Sequence, residues 1–186
     1  MSLRTGFAAT LAVAILSTCH AAPTAPTGAA PDARAIESDH AGPVTRDTPF
    51  DPAAIQKLFP GSSVHGGRSP KWDLPDELTS WIEVRTAGGT IRLEARADGR
   101  IDSVTIRDPA FIGPGGRHVG MGWAEAKFDR TACRPARSMS PYVSQIECMS
   151  PRASEITAIF DVPTVAMGGL VRYDAARLGA IRWRPM

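Results

Sequence analysis

Chemistry-bearing residues are few in this chain, and their spacing matches none of the common catalytic constellations. The 186 residues hold three cysteines, Cys19, Cys133 and Cys148, and four histidines. His20 and His40 fall in a Pro- and Ala-rich stretch; His65 and His118 sit among glycines with no cysteine or carboxylate at metal-ligand spacing. A solvated loop histidine is the ordinary reading of both. The sequence contains no GxSxG, HExxH, SxxK or phosphate-binding P-loop pattern. GPGG at 113–116 lacks the strand–helix frame of a phosphate cradle and reads as turn chemistry. Asp102, Asp108, Asp76 and Glu77 read as surface and turn carboxylates, and Trp72, Trp81, Trp123 and Trp183 as core anchors. No catalytic residue, cofactor site or metal set is assigned on this basis, and the expectation is a protein that is not an enzyme.

Cys19 asks for another explanation. Arg4 precedes Gly6–Leu16, eleven residues without charge, and Leu16-Ser17-Thr18-Cys19 follows. A charged start with an apolar run of this length is a secretory signal, too short for a membrane-spanning helix. The pattern around Cys19 looks like a bacterial lipobox, in which the thiol takes a diacylglycerol and the cut falls before it. The alternative is ordinary cleavage near Ala21 or Ala22, with Cys19 discarded. The lipobox reading makes residues 1–18 a lipoprotein signal and Cys19 a lipid anchor to the outer membrane, facing the periplasm; the other makes the protein soluble in the periplasm or secreted. Acylation contributes about 0.8 kcal/mol per buried methylene, so several chains hold firmly.

Residues 19–46 are rich in Ala, Pro, Thr and Gly and poor in large apolar groups. Such a stretch buries too little surface to offset its ordering entropy, and is expected to be a flexible tether of roughly 30 Å. Residues 47–186 then make one domain. Formal net charge is +2, which gives no footprint for nucleic acid.

In the domain, FDPAAIQKLFPG at 50–61 predicts a short helix. Asp51 is placed to cap it, Pro52 suits the first turn, and Phe50 and Ile55 have the spacing of a hydrophobic staple. Residues 80–108 predict a three-strand meander punctuated by Gly88-Gly89 and Asp98-Gly99, whose tolerance of positive φ favours tight hairpins. Ile91, Leu93 and Ala95 alternate with Arg92, Glu94 and Arg96, so one face is packed and one is polar. A loop at 111–120, a helix at 122–129 and strands at 142–148, 154–160 and 178–184 complete the reading; 161–178 is ambiguous. The fold class is mainly β: an antiparallel sheet or sandwich with two short helices. Cys133 and Cys148, with fourteen residues between them, are expected to form a disulfide in an oxidising compartment. Phe111 and Ile112 open the 111–120 loop as an apolar pair that either plugs the core or faces a partner.

The run IDSVTIRDPAFIGPGGRHVGMGW, Cys133, IEC at 146–148, EITAIF, GGL at 168–170 and the terminal IRWRP together resemble the RpoE-regulated lipoprotein family, a bacterial domain of unknown function. The likeness spans 47–186 and includes the first helix. It implies a β-rich fold, a lipid anchor and an envelope-stress setting, and no activity. Val171-Arg172-Tyr173-Asp174 stands where the family carries an acidic, proline-containing stretch, so no binding role carries over there. Three functional classes are open: a lipid-anchored binding or envelope-maintenance protein; an inhibitor of an exported hydrolase such as lysozyme, with loop 111–120 entering the enzyme's cleft; and, least favoured by the missing catalytic set, an enzyme.

Overall fold

The computed structural model describes residues 32–70, 76–136, 143–151, 153–163 and 173–186. Cys19, Trp72 and the 164–172 part of the ambiguous segment lie outside them. Pro31–Met186 forms one compact unit. Its strands are β1 (His40–Ala41), β2 (Val44–Thr45), β3 (Ser63–Pro70), β4 (Leu78–Arg85), β5 (Thr90–Ala95), β6 (Ile101–Ile106), β7 (Cys133–Ala136), β8 (Val143–Ser150), β9 (Ala153–Pro163) and β10 (Arg177–Trp183). Strands β1 and β2 pair as a small hairpin; the other eight make one antiparallel sheet in the order β3-β4-β5-β6-β10-β9-β8-β7.

Alternation builds the core. Register aligns Val64, Val84, Ile91, Ile106, Ile181, Ala158, Cys148 and Cys133 in one row across all eight strands. A second row runs Gly66, Ile82, Leu93, Val104, Trp183 and Ile156. From Ile82 and Val84 through to Cys148, these side chains are at most 4% exposed. The Cys133–Cys148 disulfide ends the first row, joining directly facing residues whose Cα atoms are 4.1 Å apart. The intervening row places His65, Glu83, Arg92, Thr105 and Arg182 on the other face, where Arg182 pairs with Glu147 at 3.1 Å.

Helix α1 (Pro52–Leu58) starts where the sequence predicts, with Asp51 accepting from the Ala54 amide at 2.8 Å; such a cap stabilises by about 1 kcal/mol. Ile55 is fully buried and Phe50 packs against the core. Helix α2 (Trp123–Ala126) is a single turn, shorter than the expected 122–129, because Lys127 takes a left-handed φ of 51°. Trp123 stacks against Phe160 and Tyr173.

Three expectations need correction. Residues 32–46 are not tether. Ile36, Ala41 and Val44 are at most 1% exposed within the core cluster, and the hairpin turns on Gly42 at φ 61°. This N-terminal arch is fastened by backbone: Ile36 N donates to Ile112 O and Ile112 N to Arg34 O, both at 2.8 Å. The Trp183 indole N–H donates to Ser38 O at 3.1 Å. Two isolated aliphatics, buried one at a time, leave no periodic signal. The second correction is β3, which composition hides: SVHGGRSP has neither alternation nor β-branched enrichment. The third is Asp108, expected at the surface and only 3% exposed.

The Gly88-Gly89 hairpin forms as expected, but for a different reason. Neither glycine has positive φ, whereas Gly99 does at 79°. A Cβ at Gly88 would strike the Asp108 carboxylate, and one at Gly89 the Arg107 carbonyl. Close approach, not handedness, demands glycine there.

Candidate functional site: a cleft under the N-terminal arch

Four segments converge at one edge of the core. The arch brings Ala33, Arg34 and Pro43; the end of α1 brings Leu58, Phe59, Pro60 and Ser62. The β4–β5 turn brings Thr86–Gly88, and the strand end after β6 brings Asp108, Ala110 and Phe111. Between them lies a cleft of about 380 Å³, within the range of small-ligand sites.

The sequence positions each wall by ordinary means. Thr86 clips the hairpin turn: its N donates to Gly89 O at 3.0 Å, and its hydroxyl oxygen accepts from Gly89 N at 3.0 Å. The same hydroxyl reaches the Asp108 carboxylate across the turn. The other Asp108 oxygen accepts from Ala110 N at 2.9 Å, so this carboxylate bends the chain out of β6. A buried carboxylate with donors on both oxygens is a structural brace. Among the residues that line the cleft, Arg34, Ser62, Thr86 and Asp108 carry polar side chains.

Of the apolar pair that opened the 111–120 loop, the two members part company. Phe111 is 6% exposed, and its ring fills the space a Cβ on Gly42 would need. It is the plug of the two readings, seated under the arch and forming part of the cleft floor. Ile112 is 44% exposed while its backbone is held by the arch. The rest of the loop is tied to its own molecule. Gly113 N donates to Arg117 O at 2.7 Å; Arg117 donates to Ala126 O and Pro114 O, both at 2.8 Å, and lies 4.2 Å over the Phe128 ring. That leaves Ile112 as the large apolar side chain that this loop exposes.

A second cluster was invisible in the sequence because its members were placed in a tether. Glu37, Asp39 and His40 offer ligand atoms within 4.8 Å of one another on the arch turn. His40 is 7% exposed and its Nδ1 meets the Asp39 carboxylate at 2.8 Å, which holds the Asp39 pKa below the usual carboxylate value. A metal there would have to displace that bond, while the buried Nε2, without a partner among the described residues, gains none. The donor set fits a turn lock better than a metal site. His65 lies on β3 and His118 in the 111–120 loop, each apart from this cluster.

Among the described residues no helix is long and apolar enough to cross a membrane. No family model and no curated protein matches the chain. Among solved structures the chain is similar to the uncharacterized protein yfeY from Escherichia coli, with a TM-score of 0.58 and 16% identity, over 76% of this chain and 92% of that one. At this identity the likeness shows a shared fold.

Proposed function

We propose that the protein is a non-catalytic binding module of the bacterial cell envelope, held to a membrane by lipid on Cys19. The observation that carries the binding reading is the cleft: pre-formed, mostly apolar, and built by four segments with a few polar side chains at fixed places. The disulfide supports an oxidising compartment outside the cytoplasm, and the resemblance to an envelope lipoprotein family agrees with it. The inhibitor reading loses support from the loop, which is fastened along its length rather than projecting.

The test is an amide-resolved NMR titration of the protein with fractionated envelope lipids and cell-wall fragments. A ligand of the cleft shifts amides at 33–34, 58–59, 61–62, 86–88, 108 and 110–111 together. Shifts confined to other surfaces, or none with any fraction, would sink the reading. For the anchor, growth with an alkyne fatty acid is expected to label the wild type and spare Cys19→Ser; equal labelling refutes lipidation.

A further inference from the structure

The cleft has a polarity that selects its ligand. Arg34 stands in its wall, exposed, and among the described residues its guanidinium makes no hydrogen bond or ion pair. Arg34 is the one cation among the residues that line the cleft. The one carboxylate in the wall, Asp108, is buried with both oxygens already supplied with donors. Thr86 is likewise taken by the turn. What the wall still offers is one free cation, the Ser62 hydroxyl, and an apolar lining that includes Pro43, Leu58, Phe59, Pro60 and Phe111.

We propose that the cleft takes a single-chain anionic amphiphile, with its carboxylate or phosphate head on Arg34 and its hydrocarbon chain along Leu58, Phe59 and Phe111. This rests on the binding reading above and names the ligand class. A cationic ligand would meet Arg34 at the mouth and find the Asp108 oxygens occupied. A peptide would bring a row of amides and carbonyls to a lining with too few free polar partners, leaving buried groups unpaired. An amphiphile has one polar end to match one free cation, and Asp108 repels its head from the inner wall, which fixes the orientation.

The experiment uses the exported protein carrying Cys19→Ser, so that no attached lipid competes. Four twelve-carbon probes below their micelle concentrations are titrated while the Ala110 and Phe111 amides are followed: dodecanoate, dodecyl phosphate, dodecanol and dodecyltrimethylammonium. Both anions are expected to bind, about three- to tenfold more tightly than the alcohol, as an exposed charge-assisted contact allows. The tighter of the two anionic heads identifies a fatty acid or a phospholipid fragment as the source. Arg34→Gln is expected to bring the anions down to the alcohol's affinity and leave the alcohol unchanged, with an unaltered melting curve because Arg34 is exposed. Equal binding of anion and alcohol in the wild type, an anion preference that survives Arg34→Gln, or tightest binding of the cation overturns the proposal. If the four probes leave the cleft amides still while an envelope fraction moves them, this proposal falls and the binding reading stands. If nothing moves them, both fall.

Discussion

The two edges of the eight-stranded sheet are finished by different physics. At one edge, β3 has eight residues, every one in register with β4, and no covalent link. At the other, β7 has four residues, one of them Pro135, and is tied to β8 by the Cys133–Cys148 disulfide. An edge strand must pair well on its inner side and discourage pairing on its outer side. The β7 edge does so by being short and proline-bearing, which leaves too few hydrogen bonds to hold it, and the disulfide supplies the rest. The β3 edge has length enough for the ladder, and its fit is made by glycine. Gly67 lies flat against the Trp81 indole, where an added Cβ would come 2.6 Å from Cζ2. Length and close main-chain packing do at β3 what a covalent bond does at β7.

That contrast breaks most sharply at the disulfide. Replacing both Cys133 and Cys148 by alanine is expected to destabilise the domain by about 3 kcal/mol, on the chain-entropy estimate for a loop of this size, with proteolysis beginning near β7. Urea unfolding with limited proteolysis measures both, and unchanged stability would mean that the four-residue ladder holds the edge unaided. At β3 the comparison sharpens between adjacent glycines. Gly67→Ala is expected to cost about 1–2 kcal/mol because the stiff Trp81 ring must move. Gly66→Ala places its Cβ 3.5 Å from Trp81 O, an ordinary contact, and is expected to be neutral or stabilising by about 0.5 kcal/mol through the unfolded chain. Equal effects of the two would show that β3 is held by length alone. The smallest effect concerns acid. Asp129 caps the 3-10 turn Arg130–Ala132 that leads into β7, accepting from Thr131 N at 2.8 Å, and this bond lowers its pKa from 3.8. A lowered carboxylate pKa gives stability that is present above the unfolded value and lost as pH falls through the folded one. The protection of the Thr131–Arg134 amides, corrected for their intrinsic exchange rates, is therefore expected to fall below about pH 4, and Asp129→Ala to remove that dependence; a variant that keeps it would assign it elsewhere.

What could be read from the chain follows the same division. Strands whose faces alternate, such as TIRLEA, announce themselves because half their side chains enter one core. The capped helix at 52–58 does so because Asp51-Pro52 is a local signal. β3 could not be read, since its fit lies in the missing Cβ of Gly67 and a partner on another strand. The arch could not be read either: Ile36 and Val44 are single apolar residues in polar surroundings, each buried by elements far along the chain. Most of the cleft was hidden for that reason, because one wall is the arch. Phe111 was the exception: an aromatic in a glycine-rich loop invites the question of what it fills, although the answer, the space beside Gly42, needed the arch in place.

Strand β10 sits between β6 and β9, with Ile181 facing Ile106 on one side and Ala158 on the other. The strands β3–β6 form a run of neighbours in chain order, and so do β7–β9; β10 is the piece that welds the two. As the chain is made, amino end first, the strands of each half precede β10, and the sheet edges at β6 and at β9 stay without their partner until residues 177–183 arrive. The molecule therefore matures late and all at once. Its period of greatest exposure to mispairing and to proteolysis is set by how long those seven residues take to follow the rest.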